Sequence, residues 1–502
     1  MSSLTAMERL VSRKRTHAGD VRGTQDSEAE FREGASEFRE GASTSSGGSP
    51  DSDSGTETHH AEEPSEYRPG GYHPAAIGDR YHNKYILEKK LGFGYFSTVW
   101  LASDETRAPD DPHKIVAIKI AKSSATFQEA AQDETKFLQA LGQHAFVVQL
   151  LDQFVIWGPH GKHYCLVFEP MWKDLFYLIR RFDYRGVPLK LLKVLAYQIL
   201  CGVEYLHEKQ IIHTDIKPEN FLLSLPFDLR CEALQQEREQ YLGLREQYRR
   251  SQATPTGSLS RNQRKRLKEK RKGRAAEAET TDNIAATGGA SWADLQAQMH
   301  RLEHLKSPSD LAPTRRRNLI IKVADLGNAC WTHKHFTSDI TTRQYRSPEA
   351  LLGYPYGTGV DIFACGVMVF ELATGELLFR PPRGPDPYHR NEIHLASMYR
   401  TLGYLPRYMI KDGKYSSHYF NRRCEFRRHS MEALEPRPLE DLLRHYGYDP
   451  QDLPQFVDWL RHVLEPDPRK RWTATQAKHH PWLADVHAAY TARGLEAFSL
   501  DA

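Results

Sequence analysis

Long apolar runs are missing from this sequence: none reaches the roughly 18 uninterrupted residues that a helix needs to cross a bilayer. No basic, apolar and small-residue pattern opens the chain either, so a secretory leader is not expected. Cysteine is scarce. The six present, Cys165, Cys201, Cys231, Cys330, Cys365 and Cys424, are scattered without Cys-x-x-Cys spacing, which argues against a zinc site and against a disulfide framework. No charge sign dominates: 68 Lys and Arg against 65 Asp and Glu leave a formal net charge of +3, too little to offer nucleic acid or a membrane a global field. The absences leave a soluble protein of a reducing compartment, with no membrane partner, expected as a monomer. With 502 residues, 39% of them hydrophobic, and a mean hydropathy of -0.63, the chain reads as a large core diluted by polar segments.

The polar segments can be placed. Residues 1–66 are rich in Ser, Gly, Glu, Asp and Thr, and cannot bury enough surface to offset the entropy of ordering; a disordered low-complexity tail is expected there. It holds a near-duplication, EFREGAS at 30–36 and 37–43, too few copies for a solenoid. From Tyr81 the texture changes. Residues 85–105 alternate apolar and polar around glycines and predict an antiparallel hairpin; strands follow at 114–122, 146–157 and 163–170, with a helix over 126–141 between the first two. After Pro170 the pattern turns helical, strongest over 189–209. Residues 225–317 then interrupt it with two helical-looking stretches, linker-like runs and a basic block at 261–274; a ~90-residue interruption is too long for an ordinary loop. The basic block reads as a solvated face, or alternatively as a nuclear-localisation patch or a contact for RNA or acidic chaperones; no direct nucleic-acid contact is expected elsewhere.

Several short runs carry chemistry. Gly92-Phe93-Gly94 lies at the turn of the predicted hairpin, where residues without Cβ atoms let backbone N–H groups approach phosphate oxygens; Ser97 stands where a third glycine is usual. Lys119, in Val116-Ala117-Ile118-Lys119, sits inside an apolar strand, where it either reaches water from an edge or, if buried, requires a partner. Glu134 on the following helix suits that role by its helical phase, with Asp133 and Glu129 as alternatives. In the run 211–220, Asp215 is followed by Lys217 two places on and Asn220 five places on. Asp325-Leu326-Gly327 follows another predicted strand, and Ser347-Pro348-Glu349 comes after it.

That set, in that order, resembles the protein kinases. The resemblance implies an α+β, bilobal protein kinase fold, with a small β-rich lobe at 67–171 and a larger helical lobe at 172–224 and 318–485, split by the 225–317 insert and followed by a tail at 486–502. It implies ATP and magnesium as cofactors. Asp215 would accept the proton of the substrate hydroxyl, Lys217 would face the transferring phosphoryl group, and Lys119 held by Glu134 would face the α- and β-phosphates. Asn220 and Asp325 would bind the metal. Leu91, Val99, Ala117 and Leu222 would sandwich the adenine, Phe168 would close the back, and the backbone of Glu169–Met171 would meet its edge, with Gly92, Phe93 and Gly94 over the phosphates. His213 is expected to pack, Asp361 to hold the catalytic-loop backbone and Glu349 to pair with Arg471.

A narrower likeness rests on longer strings: GGYHPAAIGDRY at 70–81, GFGYFSTVWL at 92–101, IIHTDIKPEN at 211–220, IKVADLGNACWTHKHFTSDITTRQYRS at 321–347 and FELATGELLF at 370–379. They are similar to the SR-protein-specific kinases, which also carry a spacer where the insert falls. This implies phosphorylation of serines in Arg-Ser-rich splicing factors, in cytoplasm and nucleus. A related dual-specificity splicing kinase is the alternative within the enzyme class, and a non-catalytic kinase-fold scaffold the alternative outside it. Two departures are visible. Thr214 stands where most kinases place an arginine that clamps a phosphorylated loop, so activity without activation-loop phosphorylation is expected. Of the acidic positions that would bind an arginine-rich substrate, Glu376 remains, while Ile393 and Arg400 occupy two others, with Glu392 adjacent.

Overall fold

The apolar–polar alternation of 85–104 closes into a hairpin because Gly92 and Gly94 near the turn impose no side chain on it. In the computed structural model, which describes residues 63–108, 111, 113–224, 319–382, 387–430, 434–446 and 451–495, that hairpin is β2 (Tyr85–Gly94) and β3 (Ser97–Asp104). The tail through residue 62 and the helices and basic block expected within 225–317 lie outside the described residues. A short β1 (Arg80–Tyr81) edges the sheet, and β4 (Ile115–Ala121), β5 (Leu150–Gly158) and β6 (Gly161–Phe168) complete it in the order β1-β2-β3-β4-β6-β5, antiparallel throughout. Leu87, Ile118 and Val167 are fully buried on one face. Helix α1 (Ala125–Leu141) is inserted between β4 and β5 and buries Ala131, Glu134, Phe137, Leu138 and Leu141. The acid among those apolar residues marks the side that faces Lys119.

The larger core is helical. After β7 (Met171–Asp174) come α2 (Leu175–Arg181), started by the Asp174 carboxylate accepting from the Tyr177 N–H, and α3 (Leu189–Glu208). Helix α3 packs on α5 (Gly359–Thr374), and α4 (Pro348–Leu352) adds residues to the same apolar cluster; α5 is buried from Val360 to Thr374, as an all-round apolar helix must be. The remaining helices, α6 (Pro387–Leu402) to α12 (Ala484–Arg493), surround that core. Two small sheets, all of whose strands except β7 follow α3 in sequence, carry the site: β8 (Ile211–Ile212) with β11 (Cys330–Trp331), and β7, β9 (Phe221–Ser224) and β10 (Ile321–Val323) in the order β10-β9-β7.

Three boundaries differ from the sequence reading. The strand expected from Phe146 begins at Leu150, because Phe146–Val148 is used elsewhere: the Val323 N–H donates to the Phe146 carbonyl and the Val148 N–H to the Val323 carbonyl, tying the segment to β10. Helix α12 crosses the expected boundary at 485/486, since Val486 is buried and the Tyr490 ring lies 5.5 Å from that of Tyr197 on α3. The expected tail boundary at 66 falls within a described 3-10 turn, Pro64–Glu66, whose Glu66 carboxylate takes the Lys122 ammonium at 2.6 Å.

Candidate active site

Lys119 lies on β4 opposite Val99 of β3 and is largely buried. Its ammonium sits 2.8 Å from Glu134 and 2.9 Å from Asp325, so α1 and the segment after β10 converge on the sheet through one cation. Burial works against that charge, but the two carboxylates outweigh it and hold the lysine pKa above its ordinary value. The Lys119 ammonium in turn holds the Asp325 carboxyl below its usual range. Of the alternatives on α1, Asp133 pairs with Lys136 at the surface. On the hairpin, a Cβ added at Gly92 or Gly94 would meet no atom within 4 Å, so both glycines border open space.

The second centre is built on the run between β8 and β9. Asp215 is almost fully buried; one carboxylate oxygen accepts from the Thr342 hydroxyl (2.7 Å) and N–H (3.1 Å), and the other lies 2.9 Å from the Lys217 ammonium. Burial opposes ionisation of Asp215, yet the Lys217 charge and these hydrogen bonds outweigh it and keep the carboxyl below its ordinary range. Asn220 donates through its amide nitrogen to the Asp215 carbonyl (2.8 Å) and carboxylate (3.3 Å), leaving its oxygen as the atom for a hard cation. His213 joins the two centres. Its Nε2 donates to the Ala324 carbonyl, next to Asp325, at 3.0 Å, and its Nδ1 accepts from the Asp215 N–H at 3.2 Å. Both ring nitrogens are thereby engaged in the fully buried imidazole, in keeping with a packing role.

The residues expected around an adenine fall on the six-stranded sheet and on the β10-β9-β7 sheet. Ala117 pairs with Phe168 across β4 and β6, Gly92 pairs with Val99, Leu222 is half-buried on β9, and Leu91 and Phe93 are exposed on the hairpin at 45% and 43%, as a site open to solvent requires. Glu169 is anchored: its carboxylate accepts from the Gln149 N–H and from Lys322, and its own N–H is spent on the Gln149 carbonyl. Met171 opens β7, opposite Ser224.

Comparison with known proteins adds a family to this geometry. Residues 85–230 and 310–483 match the protein kinase domain family, in two segments that flank the insert. The chain is 38% identical over 446 residues to the serine/threonine-protein kinase SRPK of Physarum polycephalum, covering 86% of this chain and 92% of that protein. It is 34% identical over 524 residues to SRSF protein kinase 3 of Homo sapiens, covering 86% and 91%, and 33% identical over 473 residues to protein kinase dsk1 of Schizosaccharomyces pombe, covering 85% and 86%. The chain belongs to the SR-protein-specific kinase family. It is therefore an ATP-dependent protein serine/threonine kinase, and its fold is the bilobal kinase fold split by an insert.

In this kinase the scaffold beneath the site is made of buried charge. Asp361, on α5 and 1% exposed, accepts from the backbone N–H groups of His213 (2.8 Å) and Thr214 (2.9 Å), while His207 lies 2.9 Å away. Those bonds hold Thr214 at φ 64°, a left-handed conformation unfavourable for a β-branched residue. Arg471 meets Glu349 through two parallel contacts of 2.6 and 3.0 Å and also donates to the carbonyls of Gly359, Glu465 and Pro466. The contact of His207 with Asp361 was not anticipated from sequence; nor was the attachment of residues 64–73 to the hairpin, although Gly70-Gly71-Tyr72 belongs to the string that carried the family likeness.

Glu371 on α5 gives a pH prediction. Burial pushes its carboxyl up to about 7, with the Tyr345 hydroxyl, 2.5 Å away, pulling the other way. Because the folded pKa is raised, the native state holds more protons than the unfolded chain between about pH 4.5 and 7, so this group's contribution falls as pH rises through that window and its full cost stands above it. Glu371→Gln keeps an acceptor for Tyr345. It should stabilise the kinase at pH 8 by on the order of 3 kcal/mol and by little at pH 4.5, read from denaturant unfolding at both pH values; an equal change at both would remove burial of the charge as the cause.

Proposed function

We propose that this kinase transfers the γ-phosphoryl group of ATP to serines of Arg-Ser-rich proteins of the splicing-factor class, in cytoplasm and nucleus, with Asp215 as the base. The observation that carries the assignment of roles is the His213 bridge: one buried imidazole bonds the backbone at Asp215 on one side and next to Asp325 on the other. A hydroxyl facing Asp215 and a phosphate facing Asp325 and Lys119 then share one crevice. Asp215 is ionised and can take the hydroxyl proton, Lys217 sits beside it as a positive charge for the phosphoryl oxygens, and Lys119, fixed by Glu134, faces the remaining phosphates. Asp325 and the free oxygen of Asn220 suit magnesium, which when bound neutralises phosphate charge. Among the described residues no helix is long and apolar enough to cross a membrane.

Activity without loop phosphorylation has support of its own. The Thr214 hydroxyl donates to the Asn328 carbonyl at 2.7 Å, and Arg346 takes Asp339 (2.8 Å) and the Thr341 carbonyl (2.8 Å), so protein acceptors occupy partners that a loop phosphate would seek. The substrate surface is altered relative to the family likeness. Glu376 is exposed and accepts from the Tyr446 hydroxyl; Glu392 is fully buried and paired with Arg428, and Arg400 donates to the Glu435 carbonyl. Glu376 is thus the surface acid among these positions, which favours short Arg-Ser sites over tight docking of long tracts.

The test is turnover of phosphatase-treated full-length kinase on a panel of peptides with Arg-Ser repeats, Ser-Pro sites and serines in acidic contexts. Retained activity with Arg-Ser repeats preferred is expected. Preference for another class overturns the substrate assignment, loss of activity on dephosphorylation overturns the loop argument, and tyrosine autophosphorylation favours the dual-specificity alternative.

A further inference from the structure

Residues 64–73 precede the six-stranded sheet, yet they are tied to three of its parts. The Tyr72 side chain, 4% exposed, donates its hydroxyl to the Gly94 carbonyl at the end of β2, at 2.7 Å. The Gly70 and Gly71 carbonyls accept from the N–H groups of Ser124 and Ser123, at the entry to α1. His160, in the turn between β5 and β6, bonds the Tyr72 carbonyl through Nδ1 at 2.7 Å. The segment can pass this closely because of its glycines: Gly70 has φ +86°, and a Cβ on Gly71 would stand 1.9 Å from the Glu66 carbonyl oxygen.

A buried cation sits at the centre. Lys122, 4% exposed, immediately follows β4, the strand of Lys119, and its N–H donates to the Phe96 carbonyl in the hairpin turn. Its ammonium pairs with Glu66 at 2.6 Å and lies 4.3 Å from the Tyr72 ring centroid, 5.0 Å from that of Tyr95 and 5.5 Å from that of Phe127. Tyr95 belongs to the hairpin turn and Phe127 to α1, so one desolvated charge touches the hairpin, the helix that carries Glu134, and the preceding segment. A merely covering segment would need neither the Tyr72 hydroxyl nor an ion pair to a buried ammonium.

We propose that residues 64–73 are a strap that sets the height of the glycine hairpin over the nucleotide, with Tyr72 as its positioning residue through the Gly94 carbonyl and Glu66–Lys122 as its anchor. The inference rests on the reading of the hairpin as the phosphate cover. With Gly94 tethered, the hairpin N–H groups are held in place before the nucleotide arrives, and the ordering entropy falls on folding rather than on binding. The effect belongs on ATP affinity and not on the chemical step, which is governed by Asp215.

Tyr72→Phe, in the full-length chain, removes the hydroxyl and keeps the ring over Lys122. A hydrogen bond of ordinary net strength corresponds to about a three- to tenfold change. The KM for ATP should therefore rise by roughly that factor with kcat at saturating ATP held within about twofold, and amide hydrogen exchange should quicken at Gly92–Phe96 while that of α3 stays unchanged. Glu66→Gln, which loosens the anchor and spares the hydroxyl, should shift both readouts in the same direction by less. An ATP KM within twofold of wild type for Tyr72→Phe, with unaltered hairpin exchange, overturns the strap. Wild-type turnover in the same assay carries the kinase reading, and the exchange measurement needs no turnover, so either can fail while the other stands.

Discussion

Asp215→Asn should lower kcat for peptide phosphorylation by about 10²–10⁴-fold, the range that loss of a positioned base removes, while the KM for ATP changes little. Asparagine can still occupy the pocket and meet Thr342, but it cannot take up a proton from the substrate hydroxyl or neutralise Lys217. The group of Lys119, Glu134 and Asp325 is a separate set of contacts, linked to Asp215 through His213 and Asn220 rather than directly, and should keep its hold. Steady-state kinetics at varied ATP and peptide read both quantities. A variant within tenfold of wild type would remove Asp215 from the base role, and a wild-type rate no higher than the variant's would point to a scaffold that binds without catalysis.

Glu349→Ala should be among the most destabilising single changes in the described chain, at about 3–5 kcal/mol, because it strands a buried guanidinium. The Arg471 and Glu349 side chains are 0% and 1% exposed, at the joint between α4 and the loop before α11 (Ala474–Lys478). Arg471→Lys should not restore the loss from the other side: an ammonium cannot make two parallel contacts to Glu349 and also reach the three carbonyls that Arg471 serves. Denaturant unfolding of both variants measures this. A cost below about 1 kcal/mol for Glu349→Ala would mean that the pair is hydrated in solution.

Much of the site could be read before the fold was known, because its residues lie in short runs whose spacing is local. Asp215, Lys217 and Asn220 are set by one turn of chain between β8 and β9, and Lys119 announces itself as a charge in an apolar strand. The choice of Glu134 over Asp133 followed from helical phase together with the kinase resemblance, and Glu134 is the residue that pairs with Lys119, with Asp133 at the surface beside Lys136. Strand ends were less legible. Phe146–Val148 has strand composition, yet a contact with Val323, far along the chain and across the insert, decides its conformation. Nothing local in Tyr72 or Lys122 says that they meet Gly94 and Glu66.

The sequence by itself determined the chemistry available to this kinase: which acids, bases and glycines exist, in what order, and on which face of which element. Periodicity and motif spacing are properties of neighbours along the chain, so they survive without a fold. Only the tertiary structure decided which distant groups share a charge or a carbonyl. It placed one ammonium between Glu134 and Asp325, one imidazole between the two catalytic segments, and one early tyrosine on the glycine hairpin. Such contacts depend on burial and on angstrom-scale distance, and both arise only when the two cores pack.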